Sequence, residues 1–399
     1  MRVLLAHNFY RIPGGEDSVV RDELALLRSH GVEAELFAAS NDDIAGVAGH
    51  LATALQTVYS LGSRRRMARR LQAFRPDVVH IHNFFPLLSP SILDACRAAD
   101  VPAVLTLHNF RILSPAALLH PSEALRDRKP RSSCWATVPL RVYRNSMPAT
   151  LAVAAMIEFH KWAGTWTRKV DCFIALTQWA KKIFVAAGLP SERIVVKPSS
   201  VAAPPVCGGA VRNGGLFVGR LDDQKGVSVL LRAWRDIDYP LKIIGDGPLA
   251  DLVRRSAGGR IAYLGRQPRN VVQREMQMAQ FLVLPSLGHE MLPVTVLEAF
   301  ASGLPVLSSD LPSLADLVEE GVTGWRFPPG DAPALAALAR RAANDVGLDA
   351  LGRRARAIYA ERYTPEVNVS RLTGIYRSLR ADRQTAAPMR ALPALPPQR

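Results

Sequence analysis

FLVLPSLGHEMLPVTVLEAFASGLPVLSS, residues 281–309, contains a strand, a loop, a helix and a second strand in one direction. The apolar run FLVLP (281–285) ends on a proline, and SLGHEML is the loop at its carboxyl end. Pro293 suits the first helical position, where its missing N–H would be unpaired anyway. Gly303 ends the helix 293–302 and Pro305 prevents its continuation. PVLSS (305–309) then reads as the next strand, so the stretch is a parallel βαβ unit. It also holds two glutamates, Glu290 on the loop and Glu298 on the helix, in an otherwise almost wholly apolar segment. A buried, unpaired carboxylate costs several kcal/mol or neutralises itself. Two readings of the pair stay open. The carboxylates bracket a ligand that has hydroxyls at its ends and a phosphate held by the helix start, or Glu290 caps the helix and Glu298 pairs with a basic neighbour.

Outward from that unit the same alternation recurs. Strands GLFVG (215–219), LKIIG (241–245) and IAYLG (261–265) are separated by helices at 226–235, 248–257 and 268–279. Val227, Leu230, Leu231 and Trp234 form one apolar helical stripe. The first half repeats the pattern with strands at 2–8, 33–37, 77–83, 103–109 and 172–177, a helix after Gly15 and another near 148–168. The predicted architecture is α/β, with two Rossmann-like domains of parallel sheets facing a central cleft. The expected domains are 1–200, a Pro/Gly-rich linker at 201–213, 214–364, a helix at 365–380, and a disordered Pro/Ala-rich tail at 381–399. In open sheets of this kind ligands bind beyond the carboxyl ends of the strands, so the loops there carry the chemistry.

The 399 residues carry a net charge of +15 with 48% hydrophobic content, which fits a folded chain with an appetite for anionic partners. Arginines crowd GSRRRMARRL (62–71) and RDRKPRS (126–132) without the interleaved aromatics of a single-strand stacking platform. No apolar run reaches the roughly 18–20 residues of a membrane span; MPATLAVAAMIEF (147–159) comes nearest. The start, MRVLLAHNFY, reads as a strand and not as a signal peptide, so a cytoplasmic setting is expected. The four cysteines, Cys96, Cys134, Cys172 and Cys207, have no metal-ligand spacing and read as free thiols.

GRLDDQKG (219–226) adds Arg220 and Lys225 at a turn between a strand end and a helix start, where two cations and helix N–H groups suit a diphosphate. A turn salt-bridged through Asp222 and Asp223 is the alternative. GDGP (245–248) is a further glycine turn after a strand.

In order, FVGRLDDQKG, GDGPL and an E-x7-E pair running into EAFASGLPV resemble the carboxyl-terminal domain of retaining GT-B glycosyltransferases, most nearly the family 4 group that uses nucleotide-diphosphate sugars. HNFYRIPGGEDSV (7–19), VVHIHNFFP (78–86), TLHNFR (106–111) and GVTGWRFPPGD (321–331) extend the resemblance over about residues 1–380. The resemblance implies that Arg220 and Lys225 hold the donor diphosphate and balance the leaving group. It implies that Glu298 holds the nucleoside ribose and that Glu290, followed by Met291, Leu292, Pro293 and Val294, lies by the donor sugar. Gly14 and Gly15 match a glycine loop against the donor phosphates and the acceptor. His108 matches a histidine that contacts the transferred sugar, and His82 is a second match on a neighbouring strand end. The expected catalytic set is His108, Glu290, Arg220 and Lys225, and the resemblance also implies that the helix at 365–380 returns to the first domain.

The implied chemistry is retaining transfer of a hexose-type sugar by same-face attack, the departing phosphate taking the acceptor's proton. That scheme needs no general base, cofactor or metal, and Asp222-Asp223 at the phosphate turn lacks the D-x-D spacing that holds one. The implied partners are a nucleotide-sugar donor and a saccharide or lipid-linked saccharide acceptor in bacterial surface or exopolysaccharide synthesis. His82, Arg64, Arg65 and Arg66 are candidate contacts of the acceptor, and the arginines are also candidate contacts of an anionic membrane on the inner face of the plasma membrane. Met291-Leu292 stands where many relatives have Gly-Phe, which bears on the donor sugar. Residues 111–150 match nothing assignable. The rival functions are another GT-B activity such as an epimerase or phosphorylase, and a basic nucleic-acid-binding protein, for which no recognition motif is found.

Overall fold

The structure is a computed structural model that describes residues 1–11, 14–44, 46–119, 129–205 and 212–385. The chain divides into two compact units, one of Met1–Pro198 with the segment from Val369 onward, the other of Ser199–Asn368.

The first unit contains β1 (Arg2–Phe9), α1 (Gly15–Ser29), β2 (Glu33–Ser40), α2 (Gly46–Val58), α3 (Leu61–Phe74), β3 (Val78–Asn83), α4 (Ile92–Ala98), β4 (Ala103–Leu107), α5 (Met147–Trp162), α6 (Thr165–Lys169), β5 (Cys172–Ala175), α7 (Gln178–Ala186) and β6 (Ile194–Val196). Its six strands are parallel in the order β2-β1-β3-β4-β5-β6. Both faces of such a sheet are covered, so β3, β4 and β5 are buried at every position. The helix expected near 148–168 is two helices, because Gly164 takes a left-handed conformation (φ 60°) between α5 and α6.

The second unit contains β7 (Gly215–Val218), α8 (Val227–Ala233), β8 (Leu241–Ile244), α9 (Ala250–Ser256), β9 (Ile261–Gly265), α10 (Arg269–Met278), β10 (Phe281–Leu284), α11 (Val294–Ala301), β11 (Val306–Ser309), α12 (Pro312–Ala315), β12 (Gly324–Phe327), α13 (Ala332–Ala343) and α14 (Leu348–Arg362). Its strands run parallel in the order β12-β11-β10-β7-β8-β9. β6 and β12 were not foreseen.

The last helix, α15, runs Pro365–Thr385, and its residues Val369, Leu372, Ile375, Tyr376 and Leu379 share a core with Val3, Leu5, Val78 and Val104 of the first unit. The tail foreseen from residue 381 therefore begins no earlier than 386, and 386–399 lie outside the described residues. So do 206–211 of the expected linker, Cys207 with them, Ile12 and Pro13 of the glycine loop, and 126–128 of the basic run. Cys96, Cys134 and Cys172 are buried thiols outside any disulfide.

Candidate active site

In the second unit β7 and β10 are neighbours, yet the chain leaves them in opposite directions, toward β8 and toward β11. Loops that diverge from two adjacent strand ends leave a crevice between them, the usual ligand position in such sheets. These are the loops that carry Arg220, Lys225 and Glu290. Gly226 lets them touch: its φ is 67°, and a Cβ there would lie 1.8 Å from the Pro285 carbonyl oxygen. The Leu287 N–H donates to the Gln224 carbonyl at 2.8 Å and ties the loops further. The turn after β8 joins them, since Leu221 N–H donates to the Asp246 carbonyl at 2.9 Å and Gly245 leaves no room for a side chain beside Gly219.

Within this frame Lys225 Nζ donates to Glu290 Oε2 in a tight ion pair, and Ser286 Oγ donates to Glu290 Oε1 at 2.5 Å. The capping reading of Glu290 is thereby removed. It does not cap α11, whose N-cap is Pro293 with no side-chain bond. Pro293 itself is extended (φ −70°, ψ 107°), so it stands just before the helix and not in its first turn. The first N–H groups of α11 have no intrahelical acceptor. Arg220 Nε donates to Asp222 Oδ2 at 2.7 Å while its side chain remains 72% exposed. Asp222 Oδ1 also accepts from the Lys225 N–H at 3.0 Å. The salt-bridged turn is thus present. An exposed pair of this kind is worth only about 0–1 kcal/mol, so an anion can draw the guanidinium away from it. Glu298 lies on α11, partly buried, with Arg269 Nε 3.9 Å away. Met291, Leu292 and Pro293 are buried and Val294 partly so.

In the first unit, the H-x-H spacing of β3 turns His80 and His82 to the same side of the sheet. His82 Nδ1 lies 2.9 Å from His108 Nε2, and its Nε2 lies 3.1 Å from Glu23 Oε1 of α1. Burial alone would raise the Glu23 carboxyl, but His82 and His80 outweigh it and hold it well below the ordinary range. Burial pushes His82 down to about 4, helped by His80 and only partly offset by Glu23. Burial, with His82 beside it, takes His108 well below the ordinary imidazole value. Two neutral imidazoles and a carboxylate leave one assignment of protons. His82 Nε2–H donates to Glu23, its Nδ1 accepts from His108 Nε2–H, and His108 Nδ1 is an acceptor. His82 is therefore not an acceptor contact as the sequence suggested. It is buried with both ring nitrogens engaged, one by His108 and the other by Glu23.

Glu23, His80 and His82 could together reach a cation. Their polar atoms are already met from within: His80 Nδ1 by the Tyr376 hydroxyl at 2.6 Å, His80 Nε2 by Thr106 Oγ1 at 2.7 Å, and Glu23 Oε2 by Lys197 Nζ at 3.7 Å. A lysine so placed disfavours a metal ion, and the cluster fits a hydrogen-bond relay better than a metal centre.

Gly14 is the N-cap of α1, and Asp17 accepts from its N–H at 3.0 Å while its other oxygen, Oδ1, meets His7 Nε2 at 2.8 Å. Among the described residues nothing lies within 4 Å of a Cβ built on Gly14 or Gly15, and neither has positive φ. The fold itself does not demand glycine there. Beside them Glu16 accepts from the Tyr10 hydroxyl at 3.1 Å and from Asn109 Nδ2 at 3.4 Å, and burial raises its carboxyl to about 8. Its Oε1 is buried with no partner. Glu16, Glu23 and Asp17 were missed in the sequence. The available signal was three acids on the helix that follows the glycine loop. Arg64, Arg65 and Arg66 lie on the exposed face of α3, where Arg64 and Arg66 bond only to Tyr59 and Ser63 nearby. None of the three is joined to His82 or His108 by a described contact.

Two family models match the chain, one described as Glycosyltransferase Family 4 over residues 13–202 and one as Glycosyl transferases group 1 over residues 212–345. The chain belongs to the family 4 glycosyltransferases. Among the relatives of this glycosyltransferase is the phosphatidyl-myo-inositol mannosyltransferase of Mycobacterium leprae, 27% identical over 400 residues, which cover 93% of this chain and 94% of that protein. The amylovoran biosynthesis glycosyltransferase AmsK of Erwinia amylovora is 34% identical over 184 residues, 41% of this chain; the match spans 45% of that relative's length. Among solved structures, HepE of Anabaena in complex with UDP superposes with a TM-score of 0.65 at 18% identity, covering 95% of this chain and all of that one. At that identity the likeness speaks for the fold, which is GT-B.

Proposed function

We propose that this glycosyltransferase moves a hexose-type sugar, with retention, from a nucleotide-diphosphate sugar to a saccharide or lipid-linked saccharide acceptor during surface or exopolysaccharide synthesis. The observation that carries the reading is the convergence of Arg220, Lys225 and Glu290 at the switch point of the second sheet, on loops held together at Gly226. A glycosyl donor already has a good leaving group, so the protein's task is to stabilise the departing diphosphate and the oxocarbenium-like centre. In this reading the diphosphate draws Arg220 and Lys225 from Asp222 and Glu290 and lies against the start of α11. Glu290, released from Lys225 but kept by Ser286, then turns to the sugar hydroxyls, and Glu298 meets the ribose. His108 contacts the transferred sugar through Nδ1, as a hydrogen-bond acceptor. The bond from the anomeric carbon to the phosphate oxygen breaks. The acceptor oxygen attacks from the same face, and its proton passes to that phosphate. No step needs a metal or a resident cofactor.

The relatives support a setting in polysaccharide assembly, and the UDP complex of the structural neighbour supports a nucleotide-diphosphate donor. No described helix is long and apolar enough to cross a membrane. We place the enzyme at the inner face of the plasma membrane, held there peripherally. The test is turnover of a nucleotide-sugar panel with membrane extract as acceptor source, read by NMR of the anomeric proton. Retention in the product supports the reading. Inversion, or turnover that needs an added divalent cation, contradicts it.

A further inference from the structure

Helix α5 is apolar on both sides up to its last turn, where Glu158 accepts from the Cys134 N–H at 2.6 Å and Lys161 is exposed. Val153, Ala154, Met156 and Ile157 point into the core of the first unit, but Met147, Leu151, Phe159 and Trp162 on the opposite side are exposed, Leu151 by 48% and Trp162 by 82%. A helix whose outward side is mostly apolar calls for a second apolar neighbour. Helix α2, which packs against α5, has no Asp, Glu, Lys or Arg in its 13 residues and leaves Leu55 73% exposed. Trp135, in the turn that packs on α5, is exposed as well.

Between these helices lies a cavity of about 460 Å³, lined by Ala54, Phe85, Pro86, Ala149, Ala152 and Val153 among others. By helical spacing Pro148 and Ala152 stand on the flank next to the outward apolar row, so the cavity lies beside that row. Among the described residues its one charged lining residue is Arg144, next to Tyr143 and Ser146, and no described acid lines it. A hydrocarbon lining with a single cation and a few hydroxyls matches an amphiphile with a phosphate head. Arg141, Arg144 and Lys161 are exposed along the same helix and the approach to it.

We propose that α2 and α5 seat the first unit on an anionic lipid bilayer. The outward row of α5 lies among the acyl chains, and the cavity takes one hydrocarbon chain whose phosphate is held by Arg144. Tryptophan and phenylalanine beside cations suit a membrane interface. A second copy of the chain would bring like charges together, since each carries +15. The inference deepens the membrane side of the function proposed above and rests on it only for the setting. Binding to vesicles tests it without any transfer, and donor binding measured on the same samples separates its failure from the failure of that reading.

The experiment is co-sedimentation of the full chain with vesicles of phosphatidylcholine, with and without phosphatidylglycerol. Wild type is expected to bind the anionic vesicles. Leu151→Glu with Trp162→Glu is expected to lower that affinity by roughly tenfold or more while circular dichroism stays native, because both residues are exposed. Ala152→Trp, which fills the cavity, weakens binding as well, and Arg144→Gln reduces the preference for the anionic lipid. With brominated acyl chains, tryptophan fluorescence is quenched in wild type and much less so in Trp162→Phe. The proposal is overturned if wild type ignores anionic vesicles, or if the apolar variants bind as wild type does while Arg64→Gln, Arg65→Gln and Arg66→Gln abolish binding. It is also overturned if the double glutamate variant only dissolves a dimer seen in the ultracentrifuge.

Discussion

Lys225 and Glu290 hold each other in the free protein, and the proposed function gives each a second task once a donor arrives. Lys225→Ala is expected to lower kcat/KM about 100-fold, the scale seen when one transition-state donor is removed. Glu290→Gln keeps the hydrogen bond from Ser286 but weakens the hold on Lys225, so steady-state kinetics should show a smaller loss. Glu23 is fully enclosed by His80, His82 and Lys197. Glu23→Leu removes the carboxylate that meets Lys197 and the His82 N–H and should cost roughly 3–5 kcal/mol in denaturant unfolding. The milder His82→Gln should instead change the tautomer of His108, read from its ring nitrogen shifts. A purely structural role for His82 predicts no such change. Glu16 gives a pH signature. Its folded carboxyl is raised by burial to about 8 from an ordinary 4.5, so its contribution to stability is complete below 4.5 and is lost as pH rises through 8. Melting temperature should therefore fall more steeply between about pH 5 and 9 in wild type than in Glu16→Gln.

At the scale of elements, the strands were legible because each is a short apolar run with turn residues at both ends. β9 and β10 begin where the sequence places them, and β10 ends one residue before Pro285. β6 and β12, of three and four residues, are too short to show a period. The placement of Arg220, Lys225 and Glu290 at strand ends was legible from the spacing, and the contact between their loops was not. That contact depends on Gly226, whose need for glycine comes from Pro285, far along the chain. Nor could the sequence show that His82 is wedged between His108 and Glu23, since the three come from three different elements. Gly226→Ala should force the two loops apart. Strain at a left-handed position alone costs about 1–3 kcal/mol. The expected outcome is a folded protein, by circular dichroism, with donor affinity lost along with that stability.

At the scale of the whole molecule, each unit owns its core. The first unit's core includes α15, so the last helix of the chain completes the first sheet's packing. Leu372→Ala together with Ile375→Ala should lower the first unit's stability by about 2–5 kcal/mol per site. Hydrogen exchange should then show earlier opening of β1, β3 and β4 with little change in β7 or β10. Equal loss of protection in both units would mean that the chain unfolds as one body.

The central claim is that the crevice between β7 and β10 holds a nucleotide-diphosphate sugar. The direct measurement is saturation-transfer NMR of a panel of nucleotide sugars and free nucleotides against wild type, Glu298→Ala and Arg220→Ala. The account predicts that wild type selects one nucleotide class and that both variants lose it, Glu298→Ala through the ribose and Arg220→Ala through the diphosphate. Folded wild type that binds none of them, or variants that bind as wild type does, would contradict it.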